Sequence, residues 1–118
     1  MKPLLSTALF VFASFFGCAH TAAGPAAPRI NGQQARVLST DEDAQLIDVR
    51  SATEFDMGHI AGAINIPVAR IAEDGSGERD RPVILYYLSG HRSARAAAEL
   101  LRIGTDEVYD LGSLRHWD

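Results

Sequence analysis

The sequence predicts an α/β fold, a small three-layer structure in which a parallel sheet of four or five strands is covered by helices on both faces. Three observations carry that prediction. From about residue 45 onward, short apolar runs alternate with helical patterns, and the connections between them are brief. The run Val83-Ile84-Leu85-Tyr86-Tyr87 is apolar throughout, as a parallel strand covered on both sides must be. Ser51, followed three residues later by Glu54, forms a capping box that opens a helix directly after another apolar run.

The elements follow in order. Ala35 to Leu38 is expected as a short edge strand. Gln45 to Val49, carrying Leu46, Ile47 and Val49, reads as a buried strand. Ser51 opens a helix and Gly58 ends it. Ala63 to Ile66 is a second strand, stopped by Pro67, which cannot continue a central ladder. A helical turn covers Val68 to Ala72, and the charged, glycine-bearing stretch Glu73 to Arg81 is an exposed loop. After Val83–Tyr87, Leu88 to Arg92 forms a tight loop. Ser93 to Ile103 is a helix with Ala94, Ala97, Ala98 and Leu101 on one face and Gly104 just beyond its end. Val108 to Leu111 is a last strand. Ser113 to Trp117 is a terminal helical turn, with Trp117 packing onto the sheet.

The chain has 118 residues, room for one ordinary domain, and shows no internal repeat. A formal net charge of −4 gives no basic face for nucleic acid. The single cysteine, Cys18, excludes an internal disulfide and any four-cysteine metal site. The four histidines have no metal-ligand spacing, so neither metal nor cofactor is expected.

Cys18 follows an apolar run, Leu4 to Phe16, preceded by the positive charge of Lys2. The run is too short to span a bilayer and matches the apolar core of an export signal. Gly17-Cys18 resembles the bacterial lipoprotein cleavage box, although Phe15 and Phe16 depart from the usual residues there. Cleavage after Thr21-Ala22-Ala23 is the alternative. Ala19 after the cysteine resembles an outer-membrane sorting signal. The expected organisation is a signal peptide over 1–17, a flexible Ala/Gly/Pro-rich tether over 18–34, and a domain over 35–118. The expected location is the periplasm, with the chain held to the membrane, outer rather than inner, by lipid on Cys18.

Ligands of open parallel sheets bind beyond the carboxyl ends of the strands. Here that place is Tyr87-Leu88-Ser89-Gly90-His91-Arg92-Ser93, where backbone N–H groups can curl around an anion; a plain connection is the alternative. Asp48, Arg50 and Glu54 have the residue types of acid–base groups, but a structural reading is simpler: Asp48 satisfies backbone groups and Arg50 pairs with Glu54. His59 is expected as a hydrogen-bonded residue at the core edge, and Asp41-Glu42-Asp43 as a solvated turn or helix start. Ser89 lacks the Gly-x-Ser-x-Gly elbow of a serine hydrolase.

At these residues the sequence resembles a known family. Leu46-Ile47-Asp48-Val49-Arg50, Glu54-Phe55, Gly58 to Pro67, Val83 to Ser93 and Gly112 to Trp117 are similar to the successive motifs of a rhodanese domain, with Ser113 where a second glycine is usual. The resemblance spans residues 46–117. It implies sulfur transfer, from a donor such as thiosulfate to an acceptor such as cyanide, through a persulfide on a cysteine at the end of the central strand. In this sequence that position is Tyr87. A thiolate is soft and available near neutral pH, whereas a phenol with a pKa of about 10 stays protonated and carries no sulfur. The resemblance therefore implies an inactive rhodanese, with no catalytic residue. What remains is a binding or scaffold module for an unknown protein or a thiosulfate-like anion at Leu88–Ser93, with Tyr87 either plugging the pocket or adding a donor to it. The alternative is a thiosulfate sulfurtransferase.

Overall fold

The central strand β3 (Val83–Tyr87) is buried at every position, so both of its faces need cover, and the rest of the chain supplies it. In the computed structural model, residues 26–75, 80–88 and 91–118 are described. The expected export signal, Cys18 and the first part of the tether lie outside the described residues, as do Ser89 and Gly90. The remaining elements are α1 (Gly32–Asp41), β1 (Gln45–Asp48), α2 (Ala52–Met57), β2 (Ile64–Asn65), α3 (Ile71–Asp74), α4 (His91–Arg102) and β4 (Val108–Ser113). A 3₁₀ turn, Val68–Arg70, precedes α3, and another, Leu114–Trp117, follows β4.

The four strands pair parallel in the order β2-β1-β3-β4. The period-two alternation of strand side chains divides the core in two. Ile47, Val49, Val83, Leu85 and Tyr87 face α3 and α4. Leu46, Ile84, Tyr86 and Leu111 face the side of α1, Phe55 and the terminal turn. Trp117 packs on this second side, as expected from the sequence. The register of β3 against β4 slips between Leu85 and Tyr86, where Asp110 and then Gly112 are the successive partners. Gly112 takes a φ of +79° at this irregularity, a conformation that glycine adopts without steric cost.

Two expectations are corrected here. Ala35 to Leu38 is helical, within α1. Asn31 and Gln34 form a capping box that starts this helix, each side chain accepting from the other residue's backbone N–H at 2.8 and 2.9 Å. The folded part also begins before residue 35, where the sequence placed its start. Ile30 is buried and donates to the Asp110 carbonyl, while the Asp110 N–H reaches the Pro28 carbonyl, so residues 28–30 lie along β4. Asp41, Glu42 and Asp43 form the solvated turn that closes α1, with Asp43 at a φ of +53°.

The phase of α4 is also corrected. Its buried face is Ser93, Ala96, Ala97 and Leu100, not Ala94, Ala97, Ala98 and Leu101. The helix begins at His91 rather than Ser93, which places Arg92 and Ser93 in its first turn.

Candidate functional site

The strand order reverses between β1 and β3, because β2 lies on one side of β1 and β3 on the other. A crevice opens at such a switch point, beyond the carboxyl ends of the strands. Tyr87 ends β3 there and α4 starts four residues later. The Tyr87 side chain turns into the core with Val49, Ile71, Ala96 and Ala97, leaving the residue 7% exposed. The Arg92 guanidinium lies 4.9 Å from the centre of the Tyr87 ring, a cation–π contact made from the first turn of α4. Leu88 is half-exposed, His91 is exposed, and Ser93 is fully buried.

Beside Tyr87 an open cleft of about 700 Å³ runs between α4 and the segment from Pro67 to Ala72. Val49, Val68, Ile71 and Ala96 supply its apolar wall, and Arg92, Arg95 and Glu99 line it from α4. The end of β1 that frames it is tied down on both sides. The Val49 N–H donates to the Tyr86 carbonyl, and the Ile66 N–H to the Asp48 carbonyl. The Asn65 side-chain amide clamps the same corner, donating to the carbonyls of Asp48 at 3.0 Å and Arg50 at 2.9 Å.

Asp48 and Arg50 sit on the opposite face of the sheet from Tyr87, among the residues around Tyr86. The structure does not bring them to the Tyr87 crevice. The wholly buried Asp48 carboxylate accepts the Arg50 backbone N–H at 2.9 Å and two guanidinium nitrogens at 2.6 to 3.0 Å. Arg50 also donates to the Gly58 carbonyl at 2.7 Å. Hydrogen bonding to Asp48 raises the Arg50 pKa above its ordinary value, against the opposing pull of burial. Burial likewise pushes the Tyr86 phenol well above its usual range, even though its oxygen accepts from the Ile60 N–H.

The expected Arg50–Glu54 pair is therefore replaced by Arg50–Asp48. In extended chain, residues two apart point to the same side, and Asp48 is the buried acceptor on that side. Glu54 instead completes the cap of α2, accepting from the Ser51 hydroxyl at 3.0 Å. His59 is hydrogen-bonded, its Nδ1 lying 2.8 Å from the Phe55 carbonyl, but it is exposed and stacked on the Phe55 ring rather than set in the core edge. Sequence reading missed Arg95 and Asn65. Arg95 had a signal, because it stands one helical turn after Arg92 and must share its face. Asn65 had none, since its role depends on where two distant carbonyls end up.

The model of the rhodanese-like domain family matches residues 32–118. The chain belongs to the rhodanese family. The match begins with α1, in agreement with the earlier start of the folded region. Among relatives, this rhodanese-like domain is 46% identical over 76 residues to the uncharacterized protein YqhL of Bacillus subtilis, covering 63% of this chain and 60% of that one. It is 35% identical over 82 residues to the thiosulfate sulfurtransferase GlpE of Shewanella oneidensis, covering 68% of this chain and 81% of that one. Among solved structures, it superposes on the human single-domain sulfurtransferase TSTD1 with a TM-score of 0.66 and 26% identity, over 77% of this chain and 95% of the other.

Proposed function

We propose that this rhodanese-like domain has no persulfide catalysis and works as a binding module at the cell envelope. One observation carries the reading. The residue at the end of β3, where the resemblance puts the family's nucleophile, is Tyr87, and its ring is buried in the core with Arg92 across its outer side. A persulfide route needs a thiolate that attacks a sulfur donor and then holds the transferred sulfur. A phenol does neither, and a ring packed among Val49, Ile71 and Ala96 is not presented to a donor. Its burial supports the plugged form of the pocket over one in which the hydroxyl joins an anion cradle. An export signal over residues 1–17 and lipid on Cys18 complete the proposal, holding the domain at the periplasmic side of the outer membrane.

The relation to thiosulfate sulfurtransferases supports the second reading, sulfur transfer by this chain itself. Two measurements separate the readings. Thiosulfate added to the full-length chain leaves amide exchange of residues 88–93 unchanged if the pocket is plugged; protection of those amides restores the anion cradle. Intact-mass analysis after thiosulfate treatment finds no added sulfur on the native chain, and a gain of one sulfur atom in Tyr87→Cys. Sulfur on the native chain supports the transferase reading.

A further inference from the structure

The cleft beside Tyr87 holds an imbalance of charge that its surroundings do not cancel. Arg92 and Arg95 stand three residues apart on α4, where side chains of like charge are neighbours and repel. Arg92 is turned over the Tyr87 ring and has no carboxylate partner among the described contacts. The acid placed to neutralise Arg95 is Glu99, one turn further on, but both of its oxygens are taken by Arg102, at 2.7 and 2.8 Å. Asp74 of α3 does not line the cleft and is paired with Arg70 at 2.7 Å. Arg92 and Arg95 thus line the cleft together with Val49, Pro67, Val68, Ile71 and Ala96, and with Glu99, whose charge is paired with Arg102.

We propose that this cleft binds an amphipathic organic anion, with a single sulfonate- or carboxylate-type head on Arg92 and Arg95 and an apolar body along the Val68–Ile71 wall. The inference rests on the reading that Tyr87 has closed the persulfide pocket, and it names what the neighbouring space takes instead. Size argues for the apolar body. At about 700 Å³ the cleft has the dimensions of a site for an organic ligand, and an inorganic oxyanion fills little of it. Charge argues for the head. An anion between the two arginines relieves their mutual repulsion and gains charge-assisted hydrogen bonds, which are stronger than neutral ones. The wall then supplies the hydrophobic part of the affinity.

The probe is 1-hexanesulfonate, titrated into the full-length chain while backbone amide shifts are followed by NMR. Saturable shifts at Val68, Ile71, Ala96 and their neighbours are expected. Arg95→Gln weakens the affinity about tenfold. Ala69→Glu, which puts a carboxylate on an exposed position of the lining, weakens it to a similar extent with the spectrum otherwise preserved. Sodium thiosulfate and 1-hexanol, each carrying half of the required chemistry, bind at least tenfold more weakly. Shifts confined to other residues, or affinity indifferent to both substitutions, overturn the proposal. Thiosulfate binding as tightly as hexanesulfonate also overturns it. Sulfur loading of the native chain refutes the inactive-domain reading instead and leaves this titration to be judged separately.

Discussion

With its carboxylate wholly buried, Asp48 is hydrogen-bonded to Arg50, and all three Arg50 nitrogens that hydrogen-bond, the backbone N–H, Nε and Nη2, donate to it. Removing one partner of such a pair leaves the other charged, desolvated and unpaired. Asp48→Asn is expected to cost about 3 kcal/mol, read as a lower denaturation midpoint. An unchanged midpoint shows that the pair adds no stability. Tyr86 offers a test by pH. Its phenol holds its proton more tightly in the folded state than in the unfolded one. Stability is therefore complete below the phenol's ordinary pKa of about 10 and is lost as the pH rises above it. Tyr86→Phe removes that part of the alkaline loss and leaves the part due to Tyr109, which burial also raises. At neutral pH the same change leaves the Ile60 N–H unpaired, a cost of about 1 to 2 kcal/mol.

The helix α1 has a cap of its own but buries little. Its buried residues are only Gly32 and Ala35. It is held by what it touches: Arg36 donates to the Trp117 carbonyl and stacks over the Trp117 ring at 5.4 Å. A Cβ at Gly32 meets the backbone carbonyls of His116 and Trp117 directly. Gly32→Ala must push the helix off the terminal turn, with an expected loss of about 2 kcal/mol of stability in chemical denaturation; a neutral result shows that the two segments move apart freely. This dependence on a distant turn explains why Ala35 to Leu38 looked like a strand in isolation: four residues with Val37 and Leu38 carry no period. The Asn31–Gln34 capping box was the legible sign of a helix. The phase of α4 was hidden differently. Ala94, Ala96, Ala97 and Ala98 spread small apolar residues around the helix, and the buried Ser93 breaks the hydrophobic pattern, so packing against β3, β4 and α3 selects the face. By contrast β1, α2 and β3 were readable, because an apolar run or a cap fixes each one locally.

At the scale of the whole molecule, the parallel sheet places two groups of residues at one rim and on opposite faces. Asp48, Arg50 and Tyr86 brace one face, while Tyr87, Arg92 and the cleft occupy the other. The sequence announced both groups by motif, but it could not say that they are separated, since that follows from strand alternation at Tyr86 and Tyr87. The proposed loss of catalysis turns on the end of β3, where the sequence resemblance implies a nucleophile and Tyr87 closes the strand. Thiocyanate formation by the full-length chain, supplied with thiosulfate and cyanide, is the most direct test of the central claim. No thiocyanate above the protein-free control is predicted, either for the native chain or for Cys18→Ser. Repeated turnover by the native chain would contradict the account.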